Sequence, residues 1–205
     1  MKRILAAIFI FIICIGTFSY AQDNTLAYQQ QVEADRKKKN TEFKTGEKSP
    51  LPQKERRKFK GLHYFPVDST YRVEAVFVRD STQAPFKMKT TTARLPEYVK
   101  YGELHFTLHG KPFMLTVFQN LELVKKPEYK DYLFIPFTDE TNGFDSYGGG
   151  RYIDFRIPAT EKVILDFNQA YNPYCAYSPT YSCPIPPAEN QLQVQIHAGE
   201  KSYHE

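Results

Sequence analysis

The chain has 205 residues, of which 41% are apolar and 24% charged, and its formal charge is +4. That length suits one domain with a core of its own. Beyond the N-terminus no segment is apolar enough to span a bilayer, which takes about 20 residues. There is no phosphate loop, dinucleotide fingerprint, Gly-x-Ser-x-Gly elbow or His-Glu-x-x-His pair to mark a cofactor or a familiar catalytic centre.

Lys2 and Arg3 precede an apolar run over residues 4–18, and Ser19-Tyr20-Ala21 puts small residues at the two positions a signal peptidase reads. This is the three-part pattern of a secretory signal peptide. Cleavage after Ala21 is expected, giving a mature chain that starts at Gln22 in the periplasm or outside the cell. The competing expectation is an uncleaved N-terminal anchor. Cys14 lies inside the apolar run and lacks a lipobox before it. The remaining charge is uneven: residues 22–60 carry 11 Lys/Arg against 6 Asp/Glu, and residues 61–205 carry 14 against 17. A basic arm is a signal for nucleic acid, but export removes that partner, and a solvated charged helix is the simpler account.

Three segments are therefore expected: a signal peptide over 1–21, a basic helical arm over 22–60 and a β domain over 61–205. Residues 25–41 are rich in Gln, Glu, Ala and Lys, which predicts one helix with Asn24-Thr25 at its start. Gly46 to Pro52 breaks it, and a short basic helix is expected over 53–58. From Tyr71 the period changes to two: Val73 and Ala75 oppose Arg72 and Glu74, and Leu104, Phe106 and Leu108 oppose Glu103, His105, Thr107 and His109. Gly110-Lys111 then predicts the turn of a hairpin whose second strand runs to Gln119. Further strands are expected over 132–137, 151–157, 162–167 and 192–197. With 15 Tyr and 16 Phe and no Trp, the fold class is mainly β: an antiparallel sandwich or open barrel with an N-terminal helix.

The C-terminal half departs from generic β sequence. Gly148-Gly149-Gly150 admits backbone torsions closed to other residues and would suit either an anion-binding nest or a plain turn. Arg151 follows it, free to grip an anion with two parallel bonds or to pair with Asp139 or Asp166. Asp166 and Asn168 fall on one side of a strand end and suit a loop cap. Asn168, Asn172 and Asn190 are placed to satisfy buried backbone groups of a large ordered loop.

In order, the chain reads Asp139-x-Thr141, Gly149-Gly150-Arg151-Tyr152, Asp166-Phe167-Asn168, Tyr171-Asn172-Pro173, Cys175-Ala176, Cys183-Pro184, Pro186-Pro187, Glu189-Asn190 and Ala198-Gly199-Glu200. This series resembles the bacterial domain-of-unknown-function 1684 family. It covers about a third of the chain densely, by the count of residues over which these motifs run. The resemblance implies a compact exported or cytosolic domain and no particular activity. One departure is Tyr174, where the family pattern often carries a second Pro.

Two functional readings follow. The first is non-catalytic binding of a small ligand or envelope partner, with Asp139, Thr141, Gly149, Gly150, Arg151, Asp166, Asn168 and Asn172 as candidate ligand-binding residues on a β scaffold. The second is a hydrolase or isomerase in which Asp139, Asp166 or Glu189 does acid–base work and Arg151 stabilises an anion. No cofactor is expected. No metal site is expected either: His105 and His109 lie on a strand about 13 Å apart, and the spacing of Cys175 and Cys183 suits no finger or ribbon. Cleavage would remove Cys14 and leave Cys175 and Cys183 as an even pair in an oxidising compartment, so a disulfide is expected. The resemblance implies similar cysteines in chains without an export signal, which keeps two buried thiols or a redox pair open.

Overall fold

The computed structural model describes residues 25–203. The expected signal sequence, its cleavage site and His204 lie outside the described residues. The chain forms two compact units that meet between Thr41 and Glu42 in sequence. Residues 25–45 are helical (α1). Within the first unit the helix is laced by its own side chains, Gln31 donating to Asp35 and Arg36 to Glu33. The second unit begins before the β sequence does because Phe43, Leu51 and Phe59 are apolar anchors. They bury with Leu62 and Tyr177, with Tyr64 and Tyr203 packed against them. The short helix α2 (Gln53–Arg56) is held by Arg56, whose guanidinium binds the carbonyls of Leu51, Gly46 and Ser49.

Seven strands form one antiparallel sheet: β1 (Arg72–Arg79), β2 (Phe86–Lys87), β3 (Glu97–Leu108), β4 (Lys111–Asn120), β5 (Tyr132–Phe137), β6 (Arg151–Arg156) and β7 (Lys162–Asp166). Their order is β6-β5-β4-β3-β1-β7, with β2 pairing to β3. The result is an open half-barrel, one of the two expected architectures. The β3–β4 hairpin closes with Leu108 opposite Lys111, so its turn is His109-Gly110, one residue earlier than the sequence suggested. Both residues have positive φ, 50° and 76°, as a two-residue turn matched to strand twist requires. Between Lys100 and Gly102 the register slips by one residue on β3. That bulge bends the strand where its neighbour changes from β1 to β2.

The period-two reading holds along the sheet. Ala75, Phe77, Leu104, Phe106, Leu108, Leu133, Ile135, Phe137, Ile153 and Leu165 share one core on the inner face. The outer face of the central strands is covered too, by a second cluster of Met88, Tyr98, Phe118, Phe134 and Tyr152. Burial on both sides explains why Tyr132–Phe137 reads as a continuous apolar run. The strand expected over 192–197 is absent from the sheet. Leu192 and Ile196 do point inward, so the alternation was real. The segment's backbone groups are taken mainly by side chains and isolated bonds, which follow below.

Candidate functional site

Asp139 and Arg151 meet on the inner side of the sheet. Arg151 Nη2 lies 2.7 Å from Asp139 Oδ2, and both side chains are wholly buried. The same guanidinium donates to the carbonyls of Ile196, Ala198 and Glu200. Asp139 Oδ1 accepts the amide of Ile196 at 3.1 Å, the amide of Thr141 at 2.9 Å and the hydroxyl of Thr141 at 2.6 Å. The pair thus replaces the missing ladder of residues 192–200. A segment with strand alternation is held in place by an ion pair instead of a neighbouring strand. Desolvating two charges is costly, and the cost is tolerable because nearly every lone pair and proton is used. The rings of Phe137 and Phe65 lie 5.5 and 5.8 Å from the guanidinium carbon and add a cation–π contribution.

The surrounding candidates serve the same end. Thr141 also bonds the Ser146 hydroxyl at 2.7 Å, and the Asn142 amide ties Ser146 to the Tyr147 carbonyl. Gly150 has φ +86°, and a Cβ there would stand 2.6 Å from the Phe137 carbonyl oxygen. Its amide is bonded to the Tyr147 carbonyl, which closes a turn there. A Cβ on Gly149 would meet the Tyr147 ring at 2.5 Å. Asp166 caps the turn at Phe167–Gln169 by accepting the Asn168 amide. Asn168 pairs with both backbone groups of Asp68, and Asn172 holds the Lys201 carbonyl. Asn190 reaches between β4 and β5, exchanging bonds with the amide and carbonyl of Thr116 and donating to the Pro136 carbonyl. It supplies rungs where the β4–β5 ladder registers only Phe118 against Phe134. The expected backbone role of the three asparagines is what the structure displays.

The three acid–base candidates are not gathered. Asp139 belongs to Arg151, and Asp166 is the cap just described. Glu189 is bound to Lys100 Nζ at 2.7 Å. Burial would raise the Glu189 carboxyl, but the Lys100 hydrogen bond and charge hold it below its ordinary range. Of the histidines, His105 lies 2.9 Å from Glu103, and His109 forms the hairpin turn.

A different carboxylate is accessible. Asp154 on β6 is exposed on the outer face, and its Oδ1 accepts the hydroxyls of Tyr132 at 2.7 Å and Tyr171 at 2.5 Å. Burial, then the Asp154 charge, pushes both phenols well above their usual range, so both stay hydrogen-bond donors. Tyr152 stands edge-on to Phe134 and Tyr171, and its hydroxyl donates to the Pro184 carbonyl. Sequence reading missed this group. Its signal was Asp154 set between two apolar residues of a predicted strand, on the side that carries Tyr152.

Beside the Tyr152 end lie the cysteines. They are two thiols in this structure, not the expected disulfide. Cys183 is buried and Cys175 partly exposed. The Cys175 amide donates to Cys183 Sγ at 3.1 Å, and Tyr147 Oη lies 3.8 Å from Cys175 Sγ.

Comparison with known proteins agrees with this description. The solution NMR structure of an uncharacterised protein of Haloarcula marismortui is similar, with 37% identity over 89% of this chain and 98% of that one and a TM-score of 0.68. No curated protein sequence matches. The family model described as "Protein of unknown function (DUF1684)" matches residues 57–201, from just after α2 through the segment that Arg151 secures. The motif series read from the sequence thus leads to a plain assignment: the chain belongs to the DUF1684 family.

Proposed function

We propose that this is an exported, non-catalytic binding protein that takes a small ligand on the tyrosine-lined outer face of β5 and β6. One observation carries the reading: Asp154 is an exposed carboxylate oriented by two tyrosine hydroxyls at the edge of an aromatic layer. Both donors sit on Oδ1, so Oδ2 is left to accept from a ligand. A ring face beside an oriented acceptor suits a molecule with an apolar side and a hydrogen-bond donor, such as a sugar or an organic amine. The polar motif on the inner side supports the same reading from the other direction. Its charged groups are spent on the fold, so Asp139, Asp166 and Glu189 do not gather for acid–base chemistry. Export, cleavage after Ala21 and a periplasmic or secreted location belong to this proposal and rest on the N-terminal pattern. So does oxidation of Cys175 and Cys183 in that compartment.

A ligand that binds only the folded chain must raise its melting temperature. The test is a thermal-shift screen of mono- and oligosaccharides and small amines against the wild type and Asp154→Asn. The reading expects compounds that stabilise the wild type and not the variant. It fails if no compound stabilises the protein, or if those that do stabilise both forms equally.

A further inference from the structure

The two cysteines come from segments fastened independently, and this geometry suggests chemistry distinct from ligand binding. Cys183 lies on a short antiparallel contact with residues 89–94. Its carbonyl accepts the Thr91 amide, its amide donates to the Thr91 hydroxyl, and Ile185 bonds the Lys89 carbonyl. Arg94 clamps the same stretch by donating to the carbonyl and hydroxyl of Ser182. Cys175 sits in the turn Tyr174–Ala176, entered through Pro173. The two residues are brought together by the Cys175 amide, which donates to Cys183 Sγ at 3.1 Å.

We propose that Cys175 and Cys183 form a reversible dithiol–disulfide pair that reacts with low-molecular-weight disulfides, Cys175 attacking and Cys183 resolving. The division of labour follows from access and from hydrogen bonding. Cys175 is the partly exposed member and Cys183 the buried one. The adjoining Cys183 thiol favours a thiolate on Cys175 most, and the Tyr147 hydroxyl, 3.8 Å from its Sγ, favours it further. Against the opposing effect of burial they draw the Cys175 thiol down to about 6. Its coupling to the Cys175 side chain, followed by burial, pushes Cys183 up, while the Cys175 amide at 3.1 Å and the Arg94 charge work the other way. A thiolate is the nucleophile in disulfide exchange. The Tyr147 phenol, raised to about 12 by burial and by Cys175, remains protonated and able to donate.

The exchange balances without a further reagent. The Cys175 thiolate attacks one sulfur of a disulfide RSSR, forming a Cys175–SR bond and expelling RS⁻. Cys183 then gives up its proton to solvent and attacks Cys175 Sγ. The Cys175–Cys183 bond forms, and the second RS⁻ leaves. Two electrons pass from the protein to RSSR, which is reduced to two thiols. Excess thiol reverses both steps.

The test exposes the full chain, first reduced, to oxidised glutathione and maps adducts by peptide mass, which keeps Cys14 out of the count. The wild type should form the Cys175–Cys183 disulfide, and reduced glutathione should reverse it. Cys183→Ser should accumulate a glutathione adduct on Cys175, whereas Cys175→Ser should leave Cys183 unmodified. The proposal is overturned if no internal disulfide forms, if reduced glutathione does not reverse it, or if Cys183 takes the adduct as readily as Cys175. Tyr147→Phe supplies a readout that does not alter either cysteine. The pH midpoint for alkylation of Cys175 should lie near 6 in the wild type and move upward in the variant. A wild-type midpoint in the ordinary thiol range of about 8.5, or one unmoved by the substitution, overturns the assigned roles.

Discussion

Asp139 and Asp154 are carboxylates on the two sides of one sheet, and their surroundings assign them opposite duties. Asp139 accepts four hydrogen bonds, one from a guanidinium, and is sealed from water. Asp154 accepts two phenol hydroxyls through a single oxygen and is exposed. The inner group opens the motif series, yet its chemistry is consumed in holding residues 192–200 where no strand pairs with them. The outer group lies in no motif, yet it retains an acceptor for something outside the chain. In this molecule a dense polar motif marks architecture, and a site must be sought among residues whose valence is left over.

The largest expected effect tests the inner half of that comparison. Arg151→Met approximates the stem's volume but leaves Asp139 buried without its cation and three carbonyls without a donor. Breaking a buried pair costs about 3–5 kcal/mol, and denaturant unfolding should register a loss of that order. A loss below about 1 kcal/mol would mean the pair is no more structural than a surface contact, and the contrast with Asp154 would collapse.

Asn190→Ala should come next. It removes the side chain that bridges Thr116 and Pro136. Each buried backbone group left unsatisfied costs about 1–3 kcal/mol, and water entering the gap should recover part of it. A net loss of about 3 kcal/mol is expected on this basis. Faster hydrogen exchange of the Thr116 amide would localise the damage to the β4–β5 seam. Gly150→Ala should cost less, about 2 kcal/mol, from the positive φ and the approach to the Phe137 carbonyl. Equal stability would show that the turn can relax, and that the run of glycines does not set the position of Arg151.

Much of this was legible in the sequence. The hairpin announced itself because β3 has one wet face and one dry one, and Leu104, Phe106 and Leu108 alternate without interruption. That Arg151 would meet a motif carboxylate followed from one guanidinium among few acids, but the choice of Asp139 over Asp166 did not. Residues 192–197 misled because alternation reports which side is dry, not what bonds the backbone, and here Asp139 and Arg151 supply much of that bonding. The basic arm misled in another way. Charge count set its end at residue 60, while Phe43, Leu51 and Phe59 had already joined an apolar cluster. Asp154 was hidden because its partners Tyr132 and Tyr171 lie 22 and 17 residues away in sequence, and no local pattern joins them. The mutual position of Cys175 and Cys183 depends on clamps from residues 89–94, which no local spacing encodes.

The smallest expected effect is the one that sharpens the outer half. Asp154→Asn keeps the shape of the side chain and an oxygen that can accept from Tyr132 and Tyr171. It removes the charge and converts the second oxygen into a donor. The group is exposed, so little desolvation is at stake, and substitutions at such positions usually stay within about 0.5 kcal/mol. Denaturant midpoints of variant and wild type should therefore nearly coincide. Without the anion beside them, the phenols of Tyr132 and Tyr171 should titrate at lower pH, since the Asp154 charge is among the forces raising both. Near-ultraviolet difference spectra of the tyrosines at neutral pH would register the altered hydrogen bonds of Tyr132 and Tyr171 while the fold remains intact. A variant that instead unfolds as readily as Arg151→Met would make Asp154 a second structural knot, and the division between an inner scaffold and an outer site would have to be abandoned.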